Sequence, residues 1–404
     1  MAPPSTAATT EGGGPIRPFR IEIPASDVAD LRARLDAARW PDAEPDPEGT
    51  GWARGVPLAY LQQLAGYWGT EFDWPAQEAA LNELPQFVTE VDGQRIHFIH
   101  AVSPEPDALP LLLLHSWPGS PIEFARVVGP LADPRHHGAD PATAFHVVVP
   151  SLPGFGFSVP VREVGWSTGR MARAFAELMD RVGYERYGVH GGDIGAGVAG
   201  GLSSADPDAV VGVHVTSDLP TAVTFAGFSG DPAANEGLSP DQKARVEELK
   251  RASSDDEGYL RLQATRPQTV GYGLTDSPVA QLAWIVEKFQ SWTDASAALP
   301  EEAVDRDQLL ANVSVYWFTR SGASAAHALY ESMHAQEWSQ PGPAPMGFAV
   351  FGADPIVRIL MDPTGATAHW SEFERGGHFP AMEQPELLLG DLRAFFATLR
   401  LSPA

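Results

Sequence analysis

A few short stretches of this chain carry residue types that could do chemistry together. His190-Gly-Gly-Asp193-Ile-Gly-Ala-Gly197 ends an apolar run and sets one carboxylate at a sharp turn with small residues on both sides. That spacing, small-x-nucleophile-x-small, marks a turn too crowded for side chains beside the reactive one. Gly-Gly-Asp is also common loop chemistry, and an Asp ahead of a helix is usually its N-cap. The motif alone leaves the choice open.

A carboxylate nucleophile needs no base for attack, because it is ionised at neutral pH. Attack leaves an alkyl ester on Asp193, and the remaining task is to split that ester with water. Of the 12 histidines, His378 in Gly376-Gly-His378-Phe379 follows the last expected strand in a glycine-flanked loop, and we read it as the base for that water. Asp354, in Val350-Phe-Gly-Ala-Asp354-Pro355, ends a strand and is read as the acid that orients the histidine. Asp218 also sits at a strand end and is the alternative. The loop His115-Ser-Trp117-Pro-Gly-Ser120 follows the apolar run Leu111–Leu114. Its Trp117 N–H, with the N–H of Ile194, could form an oxyanion hole; His115 reads as a brace for the loop, and Pro118 as a cis proline in a tight turn. Such chemistry suits alkylating substrates, epoxides or haloalkanes. An epoxide oxygen needs a proton on ring opening, which a phenol can give, and Tyr259, Tyr272, Tyr316 and Tyr330 are all candidates that composition cannot separate.

These residues need a scaffold of strands whose ends converge. Leu109–Leu114, Phe145–Val149, Tyr187–His190, Val210–Thr216 and Met346–Phe351 are short apolar runs separated by helical segments, as buried parallel strands are. A hairpin, Phe87–Val91 and Arg95–Ile99 around Asp92-Gly93, precedes them. The alternation predicts an α/β fold with a doubly wound, mostly parallel sheet, the α/β-hydrolase arrangement, whose nucleophile–acid–histidine order the chain follows. Helices with Ser26 as a cap and over Pro57–Trp68 build an aromatic-rich N-terminal unit that must pack across something larger. The sheet rhythm lapses from 219 to 338, where helices at Ala280–Trp292 and Ser324–Met333 suggest an inserted cap. The expected division is a disordered tail 1–15, an N-terminal unit 16–85, core parts 86–218 and 339–404, and the cap 219–338.

With 404 residues, 44% of them hydrophobic, the chain can bury a large core. Its 52 acidic against 27 basic residues give a net charge of −25, which argues against nucleic acid or an anionic membrane as partner. No cysteine means no disulfide framework and no thiolate chemistry. No signal peptide or membrane-spanning run is legible, so a cytoplasmic protein is expected.

The chain resembles the epoxide hydrolases of the microsomal-type branch of the α/β-hydrolase superfamily. The likeness is carried by Arg34-Leu-Asp36, Arg39-Trp-Pro41, His115–Ser120, Leu152-Pro-Gly-Phe-Gly-Phe-Ser158 and Gly191-Gly-Asp193. In the cap it is carried by Gly258-Tyr259, Gln263–Thr269, Gly273–Pro278 and Glu287-Lys-Phe289. It implies Asp193 as nucleophile, Asp354 as acid, His378 as base, and Tyr259 with Tyr330 as the pair that polarises the oxirane. It also implies an apolar or aromatic small-molecule epoxide as substrate, no cofactor or metal, and a homodimer. Departures are Ser116 where members often carry Gly, Ile194 where many carry Trp, and an acid that animal members often have as Glu. Ile194 weakens the haloalkane reading, since there the Trp helps hold the halide. A catalytically silent ligand-binding relative is the reading of another class. The acidic, lysine-poor composition suggests a bacterial source, where relatives serve detoxification or natural-product pathways such as antibiotic biosynthesis.

Overall fold

The computed structural model describes residues 14–43, 45, 51–229, 238–253, 256–335 and 342–400. Most of the expected tail, and the expected cap boundary at 338, lie outside these. The chain is already docked at Gly14, whose carbonyl accepts a hydrogen bond from the Thr89 hydroxyl at 2.9 Å.

Among the described residues nine strands form one sheet: β1 (Arg17–Phe19), β2 (Gln86–Val91), β3 (Gln94–Ala101), β4 (Leu109–Leu114), β5 (Phe145–Pro150), β6 (Tyr187–Gly192), β7 (Val210–Ser217), β8 (Met346–Phe351) and β9 (His369–Phe373). Their order is β1-β2-β3-β5-β4-β6-β7-β8-β9, antiparallel from β1 to β5 and parallel from β5 to β9. The parallel strands are apolar runs because helices cover both faces. Leu111 to Leu114 of β4 are all fully buried, and they split between two core clusters on opposite sides of the sheet. The carboxyl ends of β4, β6, β7, β8 and β9 therefore open on one edge, where ligands bind in such sheets.

The N-terminal helices pack on helices inserted between β7 and β8. Trp68 donates its indole N–H to Ser314 Oγ at 2.9 Å, Tyr60 its hydroxyl to Glu301, and Tyr67 its hydroxyl to Asp307. This gives the aromatic surface of that unit its partner. Ser26 does not cap its helix, which runs Ala25–Asp36 from Pro24; its hydroxyl instead donates to Asp27. The helix Arg306–Thr319 escaped the periodicity reading for a physical reason. Every residue from Gln308 to Trp317 is buried, so it has no polar face to alternate against.

Candidate active site

At the end of β6 the chain reverses into the helix Ile194–Ala205, with Asp193 at φ 51° and ψ −125°. A non-glycine residue held there costs about 1–3 kcal/mol and persists only where its surroundings over-determine it. They do so here by leaving no space. A Cβ on Gly191 would lie 2.5 Å from the backbone of Gly195, and one on Gly195 would lie 2.3 Å from the Leu114 carbonyl oxygen. The small residues of the motif are thus dictated by the close approach of β4, β6 and the helix, and the strained turn lifts the carboxylate to the sheet edge.

Two backbone N–H groups act on that carboxylate. Trp117 N–H donates to Asp193 Oδ2 at 2.9 Å, and the Ile194 N–H joins it in opposing the rise in pKa that burial brings. The loop bearing Trp117 is fixed from several sides. His115 donates from Nδ1 to the Ser116 carbonyl and accepts the Leu152 N–H at Nε2, a neutral tautomer that burial enforces by pushing its pKa down to about 4. Asn312 and Tyr316, on the buried cap helix, donate to the carbonyls of Pro118 and Gly119 at 2.8 and 2.7 Å. Beneath the loop lies Glu123, whose Oε2 accepts the Ser116 N–H and hydroxyl. Burial raises Glu123 to about 7 against those two hydrogen bonds. The peptide bond Trp117–Pro118 is cis. Glu123, Asn312 and Tyr316 were not singled out as braces by sequence; an acid inside the apolar run Pro121-Ile-Glu-Phe124 was the available signal.

His378 stands in the loop between β9 and the helix Pro380–Glu383. Its N–H donates to the Trp292 carbonyl at 2.8 Å, and Gly377 is required because a Cβ there would lie 2.3 Å from that oxygen. The loop is tied further by Asp294, which accepts the Gly376 N–H, and by Glu383, which accepts the N–H groups of Asp294 and Phe379. Nδ1 of His378 is 2.8 Å from Asp218 Oδ2. Its Nε2 is buried, has no hydrogen-bond partner, and faces Asp193 Oδ2 at 3.9 Å. Burial alone would depress this imidazole. The charge and hydrogen bond of Asp218, with the charge of Asp193, outweigh burial and lift it to about 9. Burial likewise raises Asp193, opposed by the His378 charge and the two backbone N–H groups.

The carboxylate on the histidine is therefore Asp218 and not Asp354, a correction to the sequence expectation. Asp354 Oδ1 accepts the N–H of Ile356 at 2.9 Å and caps the helix Pro355–Met361. Asp218, at the end of β7, is held by the Thr221 N–H on its other oxygen. The tyrosines also part company. Tyr259 lines a cavity of about 330 Å³ together with Asp193, His378, Leu219, Trp292 and others. Tyr330 is not among the residues lining it; its ring stacks on His334 at 4.0 Å. Tyr272 is exposed and Tyr316 is committed to the Gly119 carbonyl.

Residues 16–124 match the family described as Epoxide hydrolase N terminus, and residues 110–292 match the alpha/beta hydrolase fold. A candidate epoxide hydrolase of Stigmatella aurantiaca is 42% identical over 95% of this chain and 86% of its own length. The chain belongs to the epoxide hydrolase family. Epoxide hydrolase 1 of Oryctolagus cuniculus is 34% identical over 94% of this chain and 88% of its own. Among solved structures, the juvenile hormone epoxide hydrolase of Bombyx mori aligns with a TM-score of 0.81 at 30% identity, covering 96% of this chain and 95% of the other. This epoxide hydrolase has the α/β-hydrolase fold. Among its described residues no group of three or more His, Asp or Glu has the arrangement that holds a metal ion. No described helix is long and apolar enough to cross a membrane.

Proposed function

We propose that the enzyme turns an epoxide and water into a vicinal diol through an alkyl ester on Asp193. The observation that supports this reading is the Trp117 N–H already bonded to the Asp193 carboxylate, with the unpartnered Nε2 of His378 facing it. Oδ2, held at Trp117, would become the ester carbonyl, and Oδ1 the attacking atom. As the new carbon–oxygen bond forms, the epoxide carbon–oxygen bond breaks and its oxygen takes the Tyr259 phenol proton. Water then loses a proton to His378 Nε2 and adds to the ester carbonyl. The oxyanion falls between the Trp117 and Ile194 N–H groups, where such donors serve best. Asp218 orients the ring and offsets the imidazolium charge, the acid role formerly given to Asp354. Of the two protons of that water, one ends on the released diol oxygen and the other restores Tyr259.

The cavity wall of Leu219, Pro220, Val223, Leu249 and Trp292 suits an apolar or aromatic epoxide. Its volume lies at the small end of the roughly 300–1,000 Å³ typical of ligand sites. A panel of styrene-type and aliphatic epoxides, with diol regiochemistry determined, tests the reading: apolar members should yield diol, and none from a folded enzyme would overturn it. Tyr259→Phe should slow ester formation by about a hundredfold while ester hydrolysis stays near wild type. Tyr330→Phe should leave both steps close to wild type, as rapid-mixing fluorescence would show.

A further inference from the structure

Lys288 is a buried charge beside the reacting groups that takes no part in the steps above. It lies on the cap helix Pro278–Trp292 with 1% of its surface exposed, on the face that carries Ile285, Phe289 and Trp292 into the core. Its Nζ sits 4.4 Å from the centre of the Tyr259 ring and 5.5 Å from that of Trp292. The Trp117 ring stacks on Tyr259 in parallel at 5.0 Å. The ammonium donates a hydrogen bond at 2.9 Å to Glu287, whose side chain keeps 29% of its surface in solvent. Burying an ammonium among aromatic rings is unfavourable unless those rings or a counter-ion compensate.

We infer that Lys288 is a positioning residue for proton donation: its ammonium, set against the Tyr259 ring, stabilises the negative charge that the phenol acquires while its proton moves to the opening epoxide oxygen. The inference rests on the proposed role of Tyr259. Among the described residues Tyr259 is the tyrosine that lines the cavity. Charge left on Oη spreads into the ring, and a cation at the ring's edge of reach lowers its cost as a second hydroxyl would. The attraction of a cation for a ring strengthens with desolvation, which is near complete at Lys288 and partial at Tyr259, and strengthens again as the ring becomes anionic. No extra reactant enters. The proton leaves Tyr259 as the epoxide carbon–oxygen bond breaks and returns from water during ester hydrolysis.

The test separates charge from packing. Ester formation and ester hydrolysis are timed in single turnovers of the wild type, Lys288→Met, Lys288→Arg and Glu287→Gln/Lys288→Met enzymes. Two epoxides are used, an unactivated aliphatic one and a trifluoromethyl oxirane whose alkoxide is much less basic. Lys288→Met should slow ester formation about thirtyfold with the aliphatic epoxide and less than about fivefold with the fluorinated one, since a weaker base depends less on its acid. Hydrolysis should stay within about twofold, and Lys288→Arg, which keeps the cation, should recover most of the loss. The double variant, free of an unbalanced Glu287, should repeat the Lys288→Met result and carries the comparison if the single variant does not fold. Equal slowing of both steps, or slowing indifferent to alkoxide basicity, would overturn the inference. Failure of the wild type to form an Asp193 ester would instead overturn the reading beneath it.

Discussion

His378→Gln mixed with one equivalent of an apolar epoxide should stop with the substrate carried as an ester on Asp193. Formation of that ester asks nothing of the histidine as a base, because the nucleophile is a carboxylate already held by the Trp117 N–H. Hydrolysis asks for a base at Nε2, a buried ring nitrogen with no hydrogen-bond partner that faces Asp193. Turnover should therefore fall by about a thousandfold or more, while ester formation stays within about tenfold of wild type. Intact-protein mass, raised by the mass of one epoxide and mapped to the peptide holding Asp193, is the readout. Loss of both steps together would mean that His378 serves the first as well.

Asp218→Asn and Asp354→Asn should differ by orders of magnitude. Asp218 makes a 2.8 Å hydrogen bond to Nδ1 of His378, and an amide there removes the counter-charge and permits the wrong tautomer; a loss of about a thousandfold or more in turnover is expected, by analogy with other oriented histidines. Asp354 caps a helix, and Asn caps nearly as well, so Asp354→Asn should lose less than about threefold. The pH dependence follows in sign. His378 must be neutral to take a proton from water, and it is held protonated up to about 9 first by Asp218 and then by Asp193. Esterification removes the Asp193 charge, so in the ester the imidazole titrates lower. Hydrolysis should rise with pH through that lowered value. Asp218→Asn should move the rising limb to still lower pH while reducing its height. A limb unmoved by this change would take Asp218 off the histidine.

The elbow and the histidine were legible because their neighbours are constrained: Gly191, Gly195 and Gly377 admit no Cβ, and such constraints print themselves on the sequence. The choice between Asp218 and Asp354 was less legible, since both follow an apolar strand. Asp354-Pro355 does carry a signal that favours the outcome, for an Asp followed by Pro is the usual opening of a helix with the Asp as N-cap. Tyr330 shows the limit of motif reading on a helix. One position along the helix is a rotation of about 100°, enough to take a side chain off the cavity. The edge strands β1 and β9 escaped because they are short and half-exposed, so neither alternation nor a continuous apolar run marks them. Lys288, like Gln281 one heptad before it, is a polar residue on the buried face of a helix, and such a break in an apolar stripe is where a functional residue should be sought.

The central claim is that Asp193 forms the bond to carbon. A single turnover in water enriched in heavy oxygen, with enzyme in excess over epoxide, tests it most directly. Water would attack the ester carbonyl, so the label should appear in the Asp193 carboxylate and the first diol should carry none. Label in that first diol, with Asp193 unlabelled, would mean that water attacks the epoxide itself and would contradict the covalent route.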